Sequence, residues 1–294
     1  MKKVRFYLET FLVVVLGRFS SLLSPTSRLR FGKCLGKLLL LIQPRRMRIA
    51  RENLKNAFPE KDEQWYKQTA RKVFENMGIV FSEFIALGWL SDDIIKDYIR
   101  FENVEIIRKK NEEGKGVLLL SGHYGNWEFL AYAVKVYLNL PVLIVVKPLS
   151  NNILDKVVNK FRTQRGNSVV SMYESALKIV RTLRNGGVVA LLADQSATRD
   201  KDIFVDFFGR KAATFDSPAY FALKYNVPVI LGFAKRQGYY YNVRLVELDH
   251  SDLIFDEEGI YTFTNRYLRL LEDAIREQPE LWLWTHRRWK HTPN

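Results

Sequence analysis

Residues 116–128 read GVLLLSGHYGNWE. The apolar run from Gly116 to Leu120 has the composition of a buried strand, and it ends at about Ser121. Asn126 suits a helix cap, which puts Glu128 in the first turn of the helix that follows. One short stretch thus predicts strand, loop and helix in succession.

The same succession recurs. The runs PVLIVV, GVVALLAD and VPVILGFA alternate with helical stretches near 126–139, 151–164, 173–185 and 216–225. Strands that alternate with helices pair in parallel and bury both sheet faces under the helices. Gln237-Gly238 then divides VILGFAKR from YYYNVRLVEL, the pattern of an antiparallel hairpin. A helix over 261–277 and the tail WLWTHRRWK follow. The fold class is α/β: a central, mainly parallel mixed sheet flanked by helices, with a helical and basic N-terminal region. The helical part covers residues 1–100, including a long amphipathic helix over 63–90, and the α/β part covers 101–294. No flexible linker separates them, so one continuous body is expected.

Charge is distributed unevenly. The chain of 294 residues carries a formal +14, and residues 1–55 hold 13 Lys and Arg against the two acids Glu9 and Glu52. The remainder is nearly neutral. A basic end can meet nucleic acid, an anionic membrane or an acidic protein. Here the cations interleave with FYLETFLVVVLGRFSSLLSP and LGKLLLLIQP, which favours a bilayer over nucleic acid. Glu9, Arg18 and Lys37 interrupt these runs before either reaches the roughly 18 uncharged residues of a transmembrane helix. An amphipathic anchor on the cytoplasmic face is expected, with a single marginal span as the alternative; no cleavable signal pattern is present. Cys34 is the lone cysteine, so neither a disulfide framework nor a cysteine zinc site is available.

In a mainly parallel sheet, ligands bind beyond the carboxyl ends of the strands, and His123 falls there. Glu128 is close enough in sequence to fold back onto it. A carboxylate on one ring nitrogen fixes the tautomer and leaves the other nitrogen to take a proton from a hydroxyl. On spacing alone, a structural histidine beside a glutamate that meets the helix dipole is the simpler reading. Other templates fail: there is no G-x-S-x-G elbow, no Walker A loop and no G-x-G-x-x-G after a strand. His250, His286 and His291 lack metal-site spacing, and no metal or redox cofactor is expected. A base without a protein nucleophile suits attack by the substrate's own hydroxyl on an activated acyl group.

Taken together, SGHYGNWE, LLADQSA, FVDFFGRKAATFDSPAYFALKYNVPVILGF and WLWTHRRWK resemble the bacterial lipid A biosynthesis acyltransferases, from about residue 4 to 290. These late, lauroyl- or myristoyl-type enzymes fall within the His-x4-Asp/Glu glycerolipid acyltransferase group. The resemblance implies transfer of a fatty acyl chain from acyl carrier protein, or less often coenzyme A, to a hydroxyl of a membrane-bound glycolipid. It assigns His123 as general base and Glu128 as its partner; the oxyanion of the tetrahedral intermediate would need donors such as backbone N–H groups near Gly122 or a nearby cation. It places Asp194 and Gln195 on the same site and gives Arg162 a part in phosphate recognition. Arg165, three residues on, is expected to share that helix face. Phe207, Phe208 and Gly209 are expected to pack near the site. Ser196 stands where family members often have a second acid, which leaves the acceptor side open. Trp282, Trp284 and Trp289, interleaved with Arg287, Arg288 and Lys290, suit either a membrane interface or stacking within the fold.

The expected partners are therefore acyl carrier protein, a glycolipid acceptor and an anionic membrane surface, at the cytoplasmic face of the bacterial inner membrane, peripheral or with one N-terminal span. Two other readings remain open: an acyltransferase for a lysophospholipid or a phosphoinositide mannoside, and a catalytically silent lipid-binding protein of the same fold.

Overall fold

The described chain up to Tyr98 is helical apart from the connections between helices, and strand begins at Ile99, just short of the residue 100 boundary read from the sequence. In a computed structural model that describes residues 2–197 and 202–291, α1 (Lys2–Leu22), α2 (Pro25–Ile42), α3 (Pro44–Ala57), α4 (Glu63–Ala86) and α5 (Asp92–Tyr98) precede any strand. Their starts follow ordinary capping rules. Pro25 and Pro44 open α2 and α3, where a missing N–H costs nothing. Asp62 caps α4 by accepting from the Trp65 N–H at 2.7 Å. The 63–90 helix of the sequence pattern is α4 followed by one 3-10 turn at Leu87–Trp89.

Glycines let α2 and α4 cross at backbone contact. A Cβ on Gly78 would lie 2.2 Å from the Gly32 carbonyl oxygen and 2.2 Å from the Gly36 nitrogen. No side chain fits there. On the outer side of α1, Val4, Leu8, Phe11, Val15 and Leu22 are exposed. Among the described residues no helix is long and apolar enough to cross a membrane.

The chain then runs through β1 (Ile99–Phe101), α6 (Glu105–Glu112), β2 (Val117–Ser121), α7 (Trp127–Leu138), β3 (Val142–Val146), α8 (Asn152–Thr163), β4 (Ser168–Ser171), α9 (Ala176–Arg184) and β5 (Val188–Leu192). After it come β6 (Asp202–Phe207), β7 (Arg210–Phe215), α10 (Ser217–Tyr225), β8 (Val229–Gln237), β9 (Tyr240–Glu247) and α11 (Glu257–Glu277). Seven strands form one sheet in the order β1-β9-β8-β2-β5-β3-β4. Strands β8, β2, β5, β3 and β4 are parallel, and the edge pair β9 and β1 runs the other way. The sheet is therefore mixed and mainly parallel. The β8–β9 hairpin turns where Gln237-Gly238 signals it, with Gly238 at φ +64°.

Three features lack a clear sequence signature. Strands β1 and β4 are short edge strands, and β6 with β7 forms a separate hairpin closed by Phe208 and Gly209 at φ 53° and 68°. Two consecutive left-handed residues match the right-handed twist of such a hairpin. The central strand β2 is shielded on both sides. Leu118 and Leu120 pack with Val189, Leu268, Leu271 and Trp282 in one buried cluster, while Val117 joins Phe129, Val142 and Ile230 in the other.

Candidate active site

Strand pairing brings the site together. Ser121 at the end of β2 is paired with Leu192 at the end of β5, so His123 and Asp194, each two residues further, leave the sheet side by side. The Asp194 carboxylate is buried and takes three hydrogen bonds. The His123 N–H donates to Oδ2 at 2.8 Å, the His123 ring Nδ1 lies 2.7 Å from Oδ1, and Trp282 Nε1 donates to Oδ2 at 2.7 Å. Burial alone would push this carboxyl up; the facing His123 charge and the donated hydrogen bonds hold it below the usual carboxylate range. An ionised Asp194 keeps the proton on Nδ1, which leaves the lone pair on Nε2.

The backbone around His123 is locked. Leu283 N–H donates to the His123 carbonyl at 3.0 Å and Gly125 N–H to that of Leu281 at 3.0 Å. Gly125 has φ +60°, and a Cβ there would meet the Ala234 carbonyl oxygen at 1.8 Å. Asn126 caps α7 by accepting from Phe129 N–H at 3.0 Å, and its amide donates to buried Glu83 at 2.8 Å.

Glu128 is in the first turn of α7, as the sequence predicts. The expected hydrogen bond between Glu128 and His123 is replaced by two other pairings. Asp194 already occupies His123 Nδ1, and the Arg162 fork holds both Glu128 oxygens at 2.9 and 2.5 Å. Arg162, on α8, is completed by Asn159 Oδ1 at 3.0 Å and lies over the Phe84 ring. Arg165 does not join it. It lies beyond the end of α8, where its guanidinium binds the Asp92 carboxylate, the Tyr132 hydroxyl and the Leu90 carbonyl. Gly122 packs between Leu271 and Asp194.

A cavity of about 770 Å³ opens over these groups. His123, Trp127, Glu128, Arg162, Gln195 and His286 line its polar part, while Leu119, Ile144 and Leu191 belong to its apolar part. The Gln195 amide nitrogen lies 3.2 Å from His123 Nε2, the position a substrate hydroxyl would take. The cavity thus sets an apolar wall beside the His123 imidazole and the Arg162 guanidinium. Among the described residues no group of His, Cys, Asp or Glu could hold a metal.

The match to known proteins covers most of the chain. The family model described as bacterial lipid A biosynthesis acyltransferase matches residues 2–291. This chain belongs to that family. It is 26% identical over 268 residues to the lipid A biosynthesis lauroyltransferase of Escherichia coli (strain K12), covering 90% of this chain and 85% of that protein. It is 23% identical over 264 residues to the lipid A biosynthesis palmitoleoyltransferase of the same organism, covering 89% and 84%. A lipid A biosynthesis acyltransferase of Haemophilus influenzae is 25% identical over 260 residues, covering 87% and 81%.

Three residues in the quoted segments take places in the site that their local sequence does not show. Trp282 reaches Asp194 from the tail, Ser196 lines the cavity, and the Ser196 N–H donates to His286 Nε2 at 3.2 Å. His286 is lowered from its ordinary 6.5 to about 4, first by burial and then by the charges of Lys290, His123 and Arg288, against the opposing pull of Asp194. The tail tryptophans stack within the fold: the Trp282 and Trp284 rings meet edge-on at 4.6 Å, and Phe207 packs against both Trp282 and Trp289. Phe208 packs on Trp284.

Proposed function

We propose that this acyltransferase moves a fatty acyl chain from an acyl thioester to a hydroxyl of a lipid A precursor, with His123 as the general base. The observation that supports it is the His123–Asp194 pair with Nε2 turned to an apolar cavity. The acceptor hydroxyl displaces the Gln195 amide from Nε2. Its proton passes to His123 as its oxygen attacks the thioester carbonyl carbon. The tetrahedral oxyanion then collapses, the C–S bond breaks, and the leaving thiolate takes the proton from the imidazolium. An ester and a free thiol result, and His123 returns to its neutral form.

Glu128 acts in this reading through Arg162. Their bidentate pair fixes a guanidinium on the cavity wall, where its remaining face suits an acceptor phosphate. The thioester is carried by acyl carrier protein or coenzyme A, and the basic surface of residues 1–55 would attract an acidic carrier as well as anionic lipid. The exposed apolar side of α1 would rest in the interface of the inner membrane's cytoplasmic leaflet, a peripheral attachment.

The test is mass spectrometry of an under-acylated lipid A precursor incubated with the protein and a panel of acyl thioesters. The expected result is a mass gain of one acyl chain that His123→Ala abolishes. Transfer only to lysophospholipid or mannoside acceptors would redirect the reading. Lipid binding without transfer to any acceptor would replace it with a silent lipid-binding role.

A further inference from the structure

We infer that His286 is a second catalytic imidazole, which donates a hydrogen bond from Nδ1–H to the acyl carbonyl oxygen as it becomes an oxyanion. The inference rests on the acyl-transfer reading and adds a residue and a role to it.

The direction of one hydrogen bond fixes the tautomer. A backbone N–H can only donate, and the atom that receives the Ser196 N–H is Nε2 of His286. Nε2 therefore presents its lone pair, and in the neutral ring the proton sits on Nδ1. Burial keeps the ring neutral, with its pKa lowered to about 4. The described residues give Nδ1 no hydrogen-bond partner, yet it is not among the sealed, unsatisfied polar atoms of the interior. His286 lines the same cavity as His123, and the two rings are close enough to influence each other's charge, so an unpaired N–H on this ring is available to a group bound there.

Three consecutive residues set both imidazoles. Asp194 holds His123 Nδ1, the Gln195 amide rests on His123 Nε2, and Ser196 holds His286 Nε2. From the other side, Asn53 of α3 donates to the carbonyls of Trp284 at 2.7 Å and His286 at 2.6 Å, and Arg46 donates to that of Thr285 at 2.8 Å. Leu283 ties the same segment to His123. The two rings are thus held in one frame, as a preorganised donor requires. A neutral N–H also suits the reaction: it stabilises the oxyanion without offering a proton that would compete with the imidazolium for the leaving thiolate.

The experiment compares wild type, His286→Ala, His286→Asn and His123→Ala in the acyl-transfer assay, with 15N NMR of labelled histidine on the wild type. The Asn amide nitrogen stands near the position of Nδ1 but loses the contact with Ser196. We expect His286→Ala to lower kcat by about 10²- to 10³-fold with KM little changed. His286→Asn should recover about tenfold or more of that loss, and the NMR should show a neutral Nδ1–H ring. An alanine variant close to wild type, an asparagine variant no better than alanine, or an Nε2–H tautomer would each overturn the inference while leaving the His123 reading intact. Wild type that transfers nothing from any donor would bring down the acyl-transfer reading itself, and the inference with it.

Discussion

His123 and Asp194 are 71 positions apart in the chain, and the pairing of Ser121 with Leu192 makes them neighbours joined by two hydrogen bonds. The ring and the backbone N–H of one residue both close on a single carboxylate. Asp194→Asn keeps the shape but removes the charge that selects the Nδ1–H tautomer. Turnover should fall by roughly 10²- to 10⁴-fold with KM nearly unchanged. Steady-state kinetics decides it, and an asparagine variant with wild-type kcat would show that the orienting carboxylate lies elsewhere.

Glu128 and Arg162 predict a different kinetic signature. In the proposed reaction they hold the acceptor rather than the base, so Glu128→Ala and Arg162→Ala should raise KM for the phosphorylated acceptor more than they lower kcat. Their double-mutant cycle in urea unfolding should show a coupling of about 1–3 kcal/mol, reduced from a fully dry pair by the open side of the cavity. A pure kcat loss in Glu128→Ala, matching Asp194→Asn, would instead return Glu128 to the base.

Acid should act partly through His286. Its folded pKa is about 4 against an ordinary 6.5, so between those values the unfolded chain binds a proton that the folded one refuses. Stability therefore falls as pH drops through that window, and the penalty is absent above it. His286→Asn, which does not titrate, should flatten that part of the curve. Urea midpoints between pH 7 and 4 provide the comparison; identical slopes in the two proteins would place the acid sensitivity on other groups.

Buried Glu83 tests the fold behind the site. One of its oxygens accepts from Asn126 at 2.8 Å and from the Tyr241 hydroxyl at 2.8 Å, and burial pushes its carboxyl up against the pull of Arg236 and those donors. Glu83→Gln can accept the same two bonds and should cost under about 1 kcal/mol. Glu83→Ala strands both donors and should cost about 2–4 kcal/mol. Thermal or urea unfolding of the pair distinguishes them, and equal losses would refute the hydrogen-bond account.

Membrane attachment can be separated from folding. Replacing Leu8, Phe11 and Val15 with Ser should weaken binding to anionic vesicles by about tenfold or more, because these side chains are already exposed. The circular dichroism spectrum should stay the same. Unchanged vesicle binding would move the attachment away from α1.

Much of the fold was legible because its apolar runs are long and its turns are marked. The four runs quoted from the sequence are β2, β3, β5 and β8, and the Gln237-Gly238 turn is a real hairpin. Strands β1 and β4 escaped because three or four residues at a sheet edge carry no period. His123 and Asp194 both announce themselves at strand ends. Their contact does not, since it depends on β5 inserting between β2 and β3, an order no local pattern encodes. Glu128 was placed in the right helical turn, but the direction of its carboxylate depends on Arg162, 34 residues away. Trp282 and His286 come from further still, and only packing brings them to Asp194 and Ser196.

The strap from Leu281 to Arg288 has a bearing on the order of events during synthesis. Synthesis runs from the N-terminus, so everything else that builds the site leaves the ribosome before it. Until this strap docks, Asp194 lacks the Trp282 donor, His123 lacks the clasp on its carbonyl, and His286 is missing altogether. In the proposed membrane role, the basic helices would be free to meet lipid while the site is still incomplete. On that proposal attachment would precede competence, and the enzyme would first act where its lipid substrate lies.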